Sequence, residues 1–221
     1  MTQVFGPSAN TLAKFSLVVL VFLAAGGLCV LDAIHRSPYV RYTELPRSQP
    51  VPFSHKHHTS LGIDCRYCHT TVEESSFANI PPTRICMNCH NQIWTEAPML
   101  EPVRESWRTG ESLEWVRVHD LPDFVYFDHS IHVSRGIACV TCHGRVDNMP
   151  LVWREHPLFM KWCLECHRNP EQFIRPREEV TNMTWEWPDG MSQAANGPEL
   201  VEAYGVDQRN QRLTDCWICH R

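Results

Sequence analysis

The chain has no excess of basic charge. Lys and Arg total 20 against 25 Asp and Glu, a formal charge of −5 over 221 residues, so nothing favours a nucleic-acid backbone as partner. Only one long uncharged apolar run is present, which leaves room for a single membrane span. The 16 Pro break much of the rest into short, loop-rich segments. A core built from protein alone would be weak. Cysteine is nearly missing outside one recurring pattern, which takes ten of the eleven. Cys29, inside the apolar run, is left over as a small hydrophobe.

The pattern is Cys-x-x-Cys-His, and it occurs five times. The copies are Cys65-Arg66-Tyr67-Cys68-His69, Cys86-Met87-Asn88-Cys89-His90, Cys139-Val140-Thr141-Cys142-His143, Cys163-Leu164-Glu165-Cys166-His167 and Cys216-Trp217-Ile218-Cys219-His220. Zinc sites and disulfides also use paired cysteines, but neither requires His directly after the second one. With 13 His in 221 residues, five such placements have chance odds of roughly one in a million. Each copy therefore reads as a c-type haem attachment site. Both thiols would form thioethers, and His69, His90, His143, His167 and His220 would be the proximal iron ligands. Five covalently bound haem c groups would supply the apolar mass that the core lacks. The apo-chain is expected not to fold. The expected fold is mainly α with extensive loops, a haem-packed multihaem body plus one N-terminal transmembrane helix.

Phe15 to Leu31 is the apolar run, 17 residues between Lys14 and Asp32, at the short end for a membrane span. Lys14 and the amino terminus favour an inside N-terminus, although Arg36 and Arg41 weaken the asymmetry. A cleaved signal peptide is the main rival, with Ala24 to Gly27 as small residues near a cleavage site. An uncleaved single-pass anchor over residues 1–36 is the reading adopted, followed by an extracytoplasmic domain over 37–221.

FSHKHHTSLGIDCRYCH, from Phe53 to His69, recurs as FDHSIHVSRGIACVTCH, from Phe127 to His143, identical at nine of seventeen positions. A second motif follows each copy, so a two-haem unit is duplicated around 53–90 and 127–167. The fifth motif lies on a tail, 168–221, read as a strap. Short helices are expected at the motifs, and residues 116–127 as extended chain or loop.

An electron carrier's iron usually has a second strong axial ligand. The repeated F-x-H-x-x-H supplies His55 and His58 in one copy and His129 and His132 in the other. These four are the first distal candidates, and His119 is the fifth. His156, Met160 and above all Met149 remain rivals for one site. His57 has no counterpart in the second copy, where Ile131 stands, and reads as structural. His35 reads as interfacial.

The F-x-H-x-x-H…C-x-x-C-H unit resembles the class III multihaem c-type cytochromes. The resemblance implies that His55 and His129 ligate their local haems, on Cys65 and Cys139, while His58 and His132 reach other haems. The N-terminal anchor, five motifs, IPPTRICMNCH, the segment Trp115 to His132 and CHGRVDNMP are together similar to the pentahaem cytochrome subunit of bacterial alternative complex III. That similarity implies a hetero-oligomeric quinol-oxidising complex of the bacterial cytoplasmic membrane. Its expected partners are an iron–sulfur subunit, quinone-binding integral membrane subunits and a monohaem cytochrome c. The haem domain would lie on the periplasmic side and pass electrons to a cytochrome c, a copper protein or an oxygen reductase. The chain itself would have no catalytic residue. One rival is a stand-alone membrane quinol dehydrogenase cytochrome. Another is a catalytic multihaem reductase, disfavoured because no C-x-x-C is followed by Lys. Pyridine haemochrome quantitation against protein should give five c-type haems per chain; a reproducible value near four would leave one motif, first of all that at Cys216, unoccupied.

Overall fold

The computed structural model describes residues 6–206 and 212–220. The chain divides into two compact units, Met1–Tyr42 and Thr43–Arg221, so the division falls six residues beyond Arg36.

The first unit is helical. Helix α1, Ala9–Arg36, contains the whole apolar run and has no buried residue. At about 1.5 Å per residue its 28 residues exceed a bilayer's hydrocarbon core of about 30 Å, and it is apolar enough to cross one. It stops where Pro38 forces the preceding Ser37 into an extended conformation, φ −64° and ψ 147°. The Ser37 hydroxyl then caps α2, Pro38–Arg41.

The second unit is a series of short helices joined by long loops. In order they are α3 (His55–Thr59), α4 (Cys65–Cys68), α5 (Thr83–His90), α6 (Glu101–Thr109), α7 (His129–Ser134), α8 (Cys139–His143), α9 (Met160–Arg168), α10 (Gln193–Ala203) and α11 (Cys216–Cys219). Among the described residues there is no sheet, only isolated bridges at Thr43–Arg154 and Ile137–Ile174. Every Cys-x-x-Cys-His motif sits on a short helix, as expected, and residues 116–127 form no helix or strand. The tail is more ordered than a strap. Residues 174–181 do run past both first motifs, Cys139 N–H donating to Val180 O at 3.1 Å and Thr181 Oγ1 to Asp64 at 3.3 Å. Beyond them α10 forms despite Gly197 and Pro198 in its interior, residues that discourage a helix. Gln193 anchors it by donating to Glu171 O and Ile174 O, both at 2.7 Å. Gly197 lies where a Cβ would strike Glu171 O.

The protein-only core is thin. Val51, Met87, Leu100 and Val103 form one buried cluster, with Leu113 and Trp115 against it. Helices α4, α8, α9 and α11 contain no buried residue.

The two repeat copies fold alike. Ser54 and Asp128 occupy the same position and cap α3 and α7 through His57 N–H and Ile131 N–H, each at 3.3 Å. Gly62 and Gly136 end the two helix–turn segments, both at φ +78°, where a side chain is strained. Their surroundings differ. A Cβ on Gly62 meets nothing within 4 Å, whereas on Gly136 it would meet Arg175 O and the Tyr204 ring. Gly62→Ala should therefore cost about 1 kcal/mol of backbone strain. Gly136→Ala should cost about 1–3 kcal/mol more through overpacking, read as a lower thermal midpoint of the holo-protein. Equal shifts for the two would remove this account.

Candidate haem-ligand cluster

The motif helices set each motif His by local hydrogen bonding. His69 N–H donates to Cys65 O and His220 N–H to Cys216 O, both at 2.9 Å. One helical turn thus brings the first Cys and the His to the same side. Asp64 caps α4 by accepting from Arg66 N–H at 2.8 Å.

Among the described residues, seven imidazoles share one orientation device: their Nδ1 contacts a backbone carbonyl. The pairs are His58 to Ser54 O at 2.8 Å, His69 to Asn79 O at 2.7 Å, His90 to Ile93 O at 3.3 Å and His129 to Ser76 O at 2.8 Å. His132 meets Asp128 O at 2.6 Å, His167 Leu213 O at 2.7 Å and His220 Phe124 O at 3.1 Å. A carbonyl only accepts, so each Nδ1 must carry the proton. The neutral ring then keeps its free lone pair on Nε2, the tautomer that binds a metal. His35, His57 and His156 lack this contact. His57 is exposed, His156 stacks on Trp162, and Arg41 donates to His35 O at 3.0 Å.

Three pairs of rings stand at one common spacing. Centroids are 6.2 Å apart for His58–His90, 6.1 Å for His132–His167 and 6.4 Å for His129–His143, the last nearly parallel at 16°. Metal–imidazole bonds are about 2 Å long, and the ring centroid lies roughly 1 Å beyond the nitrogen. Two rings on opposite sides of one iron therefore need roughly 6 Å between centroids. The distal candidate pairs with the downstream motif for His58 and His132, and with the local motif for His129. Phe53 and Phe127 hold the rings identically. Each stacks on the second His of its repeat at 4.4 Å and meets the first edge-on, at 4.9 and 4.8 Å.

His55 and His119 are half-buried, and each has one buried ring nitrogen without a partner, Nδ1 in His55 and Nε2 in His119. Burial pulls His55 down to about 4, helped by the neighbouring imidazoles of His69, His58 and His119. Burial likewise pulls His119 down to about 4, followed by the Arg154 guanidinium. Both rings are thus neutral near pH 7, as a ligand must be. His55 lies in the field of His69, its local motif. His119 stands 4.2 Å from His143, too close for the two to be opposite ligands of one iron. The ring against His220 is Phe124, at 5.8 Å. Met149 is 1% exposed, and its carbonyl accepts from Lys56 N–H at 3.2 Å. Sequence reasoning missed Arg154. Its guanidinium spans Val118 O at 2.9 Å and Asp120 O at 3.2 Å, the carbonyls on either side of His119. An isolated Arg 35 residues downstream carries no pattern that would have revealed this.

Two substitutions test the ring pairs. His58→Ala should turn one haem high-spin, and the affected haem should be that on Cys86. His132→Ala should do the same to the haem on Cys163. Visible and EPR spectra read the change. In a Cys86→Ser/Cys89→Ser background, His58→Ala should add no further high-spin signal. Fully low-spin single variants would make these histidines structural.

Residues 33–101 match the class III cytochrome C family, and residues 125–221 match cytochrome c7 and related cytochrome c. The multiheme cytochrome c subunit of menaquinone reductase from Nitratidesulfovibrio vulgaris is 34% identical over 108 residues, 48% of this chain and 50% of the relative. The chain thus spans about half the length of the curated relative it matches. One such match thus falls on each side of the duplication, and over both the chain is similar to class III and cytochrome c7-type multihaem cytochromes, carriers of covalent haem c.

Proposed function

We propose that this chain is a membrane-anchored pentahaem relay, a subunit of a quinone-linked oxidoreductase complex. The observation that carries the reading is the set of three imidazole pairs at 6.1–6.4 Å, a spacing that fits iron with both axial positions filled by protein. The buried, unpartnered nitrogens of His55 and His119 fit the same group. The ten motif cysteines would hold five haems, with His69, His90, His143, His167 and His220 on their proximal sides. His58, His132 and His129 would fill the distal sides at Cys86, Cys163 and Cys139, and His55 that at Cys65. His119 completes the distal set. Bound haem iron supplies one-electron redox chemistry. The residues do the rest: they fix ring orientation through the carbonyl contacts, exclude exogenous ligands from the metal, and place neighbouring sites together.

Helix α1 supports an anchor in the cytoplasmic membrane, with the second unit on the periplasmic side. The sequence similarity to alternative complex III supports an iron–sulfur subunit, quinone-binding membrane subunits and a monohaem cytochrome c as partners, with electrons flowing from quinol. The menaquinone reductase relative favours a second reading in the same class, with electrons delivered towards quinone. Mass spectrometry of the gently solubilised complex identifies the partners, and activity with quinol against quinone separates the two directions. In either case the reduced complex should bind carbon monoxide poorly and reduce neither nitrite nor sulfite. Stoichiometric carbon monoxide binding by one haem in the native complex would indicate an open iron, and a catalyst rather than a relay.

A further inference from the structure

The five motifs do not follow each other in space as they do in the chain. The motif at Cys86 touches the one at Cys65: Asn88 Nδ2, inside one Cys-x-x-Cys loop, donates to Tyr67 Oη, inside the other, at 2.9 Å. The motif at Cys65 in turn meets the one at Cys139, their first cysteines lying beside each other. The flanking contacts of that junction are reciprocal. Helix α3 of the first repeat rests on the turn after the Cys139 motif, through Lys56 N–H to Met149 O at 3.2 Å and Thr59 Oγ1 to Asp147 O at 3.2 Å. Helix α7 of the second repeat rests on the turn after the Cys65 motif, through His129 N–H to Ser76 O at 3.3 Å and Ser130 N–H to Ser75 O at 3.2 Å. The repeats are thus joined head to head, each clasping the other's first motif.

Past this junction the contacts continue in one direction. His132, on the helix before the Cys139 motif, faces His167 of the next motif at 6.1 Å. His167 Nδ1 donates to Leu213 O at 2.7 Å, three residues before Cys216. The thiol neighbours give the same adjacency. Cys68 lies in the field of Cys86 and Cys89, Cys142 in that of Cys166 and Cys163, and Cys163 in that of Cys219. Among these contacts none links the Cys86 motif to those at Cys139, Cys163 or Cys216.

We propose that the attachment sites form one unbranched row in the order Cys86, Cys65, Cys139, Cys163, Cys216, so that the relay has two ends, at Cys86 and at Cys216. The inference rests on the relay reading and adds its path. A head-to-head duplication makes this order unavoidable. Each repeat's first site lies at the junction and its second outside, and the tail extends only the second repeat. Electrons crossing the chain then pass the Cys65–Cys139 junction whichever way they flow.

The order can be read magnetically. A distal methionine raises the potential of its haem, so that one site can be reduced while its neighbours stay ferric. Low-spin ferrous iron is diamagnetic, and each ferric neighbour then shows a changed EPR signal. In the full-length holo-protein, poised reduction of His58→Met should alter one neighbouring signal, and that of His129→Met two. Two altered neighbours for His58→Met, or one for His129→Met, would overturn the row. Should a methionine variant lose its haem, Cys216→Ser/Cys219→Ser decides from the other end. Removing that haem should shift the signal assigned to Cys163 and leave that of Cys86 unchanged; a shift at Cys86 overturns the order. Carbon monoxide binding with one neighbour at each end would instead remove the relay reading and leave the row standing.

Discussion

An imidazole that gives its Nδ1 proton to a backbone carbonyl has only its Nε2 lone pair left to offer, and the ring can no longer rotate away. In this chain that contact recurs at four of the five motif histidines and at three of the four repeat histidines. The carbonyls come from local turns in some cases and from distant loops in others. His58 and His132 use the carbonyl four residues earlier, that of the helix-capping residue. His129 uses Ser76 from the other repeat, His167 uses Leu213 from the tail, and His220 uses Phe124. Ligand orientation and tertiary structure are therefore the same set of bonds. A loop that slips also turns a ring, which is why a chain with so small an apolar core can still hold several imidazole rings in register.

Much of the site was legible because its chemistry demands fixed local spacing. Two thioethers and an adjacent imidazole need Cys-x-x-Cys-His on a helical turn, and all five motifs form one. The F-x-H-x-x-H pattern was legible for the same reason. Phe, capping residue and two His lie within one short helix and its lead-in, and the two copies repeat their ring geometry to within 0.1 Å at the Phe contacts. The apolar run was legible by length alone.

What stayed hidden depends on contacts between distant residues. The strap reading of the tail missed α10, because Asn196, Gly197 and Pro198 argue against a helix in isolation. Tertiary contact overrides that preference: Gln193 bonds two carbonyls of the preceding turn, and the missing Cβ of Gly197 permits the close approach. His119 was legible as a candidate but not in its surroundings. Its position beside His143, with the Arg154 guanidinium bridging the carbonyls before and after it, is set by residues 24 and 35 positions away. No spacing rule connects them.

His119 is also where a positive charge bears on the cluster. The imidazoles of His55, His119, His132 and His143 are all pulled down chiefly by burial, so the cluster holds neutral rings. Arg154 acts on His119 after burial and is fixed against it by carbonyl bonds that a flexible ammonium could not form with the same fork geometry. A positive charge held near a redox centre favours its reduced form, since that form carries one positive charge fewer. A haem held at His119 would on this account be biased by Arg154 towards holding an electron. That bias acts whichever way electrons cross the chain.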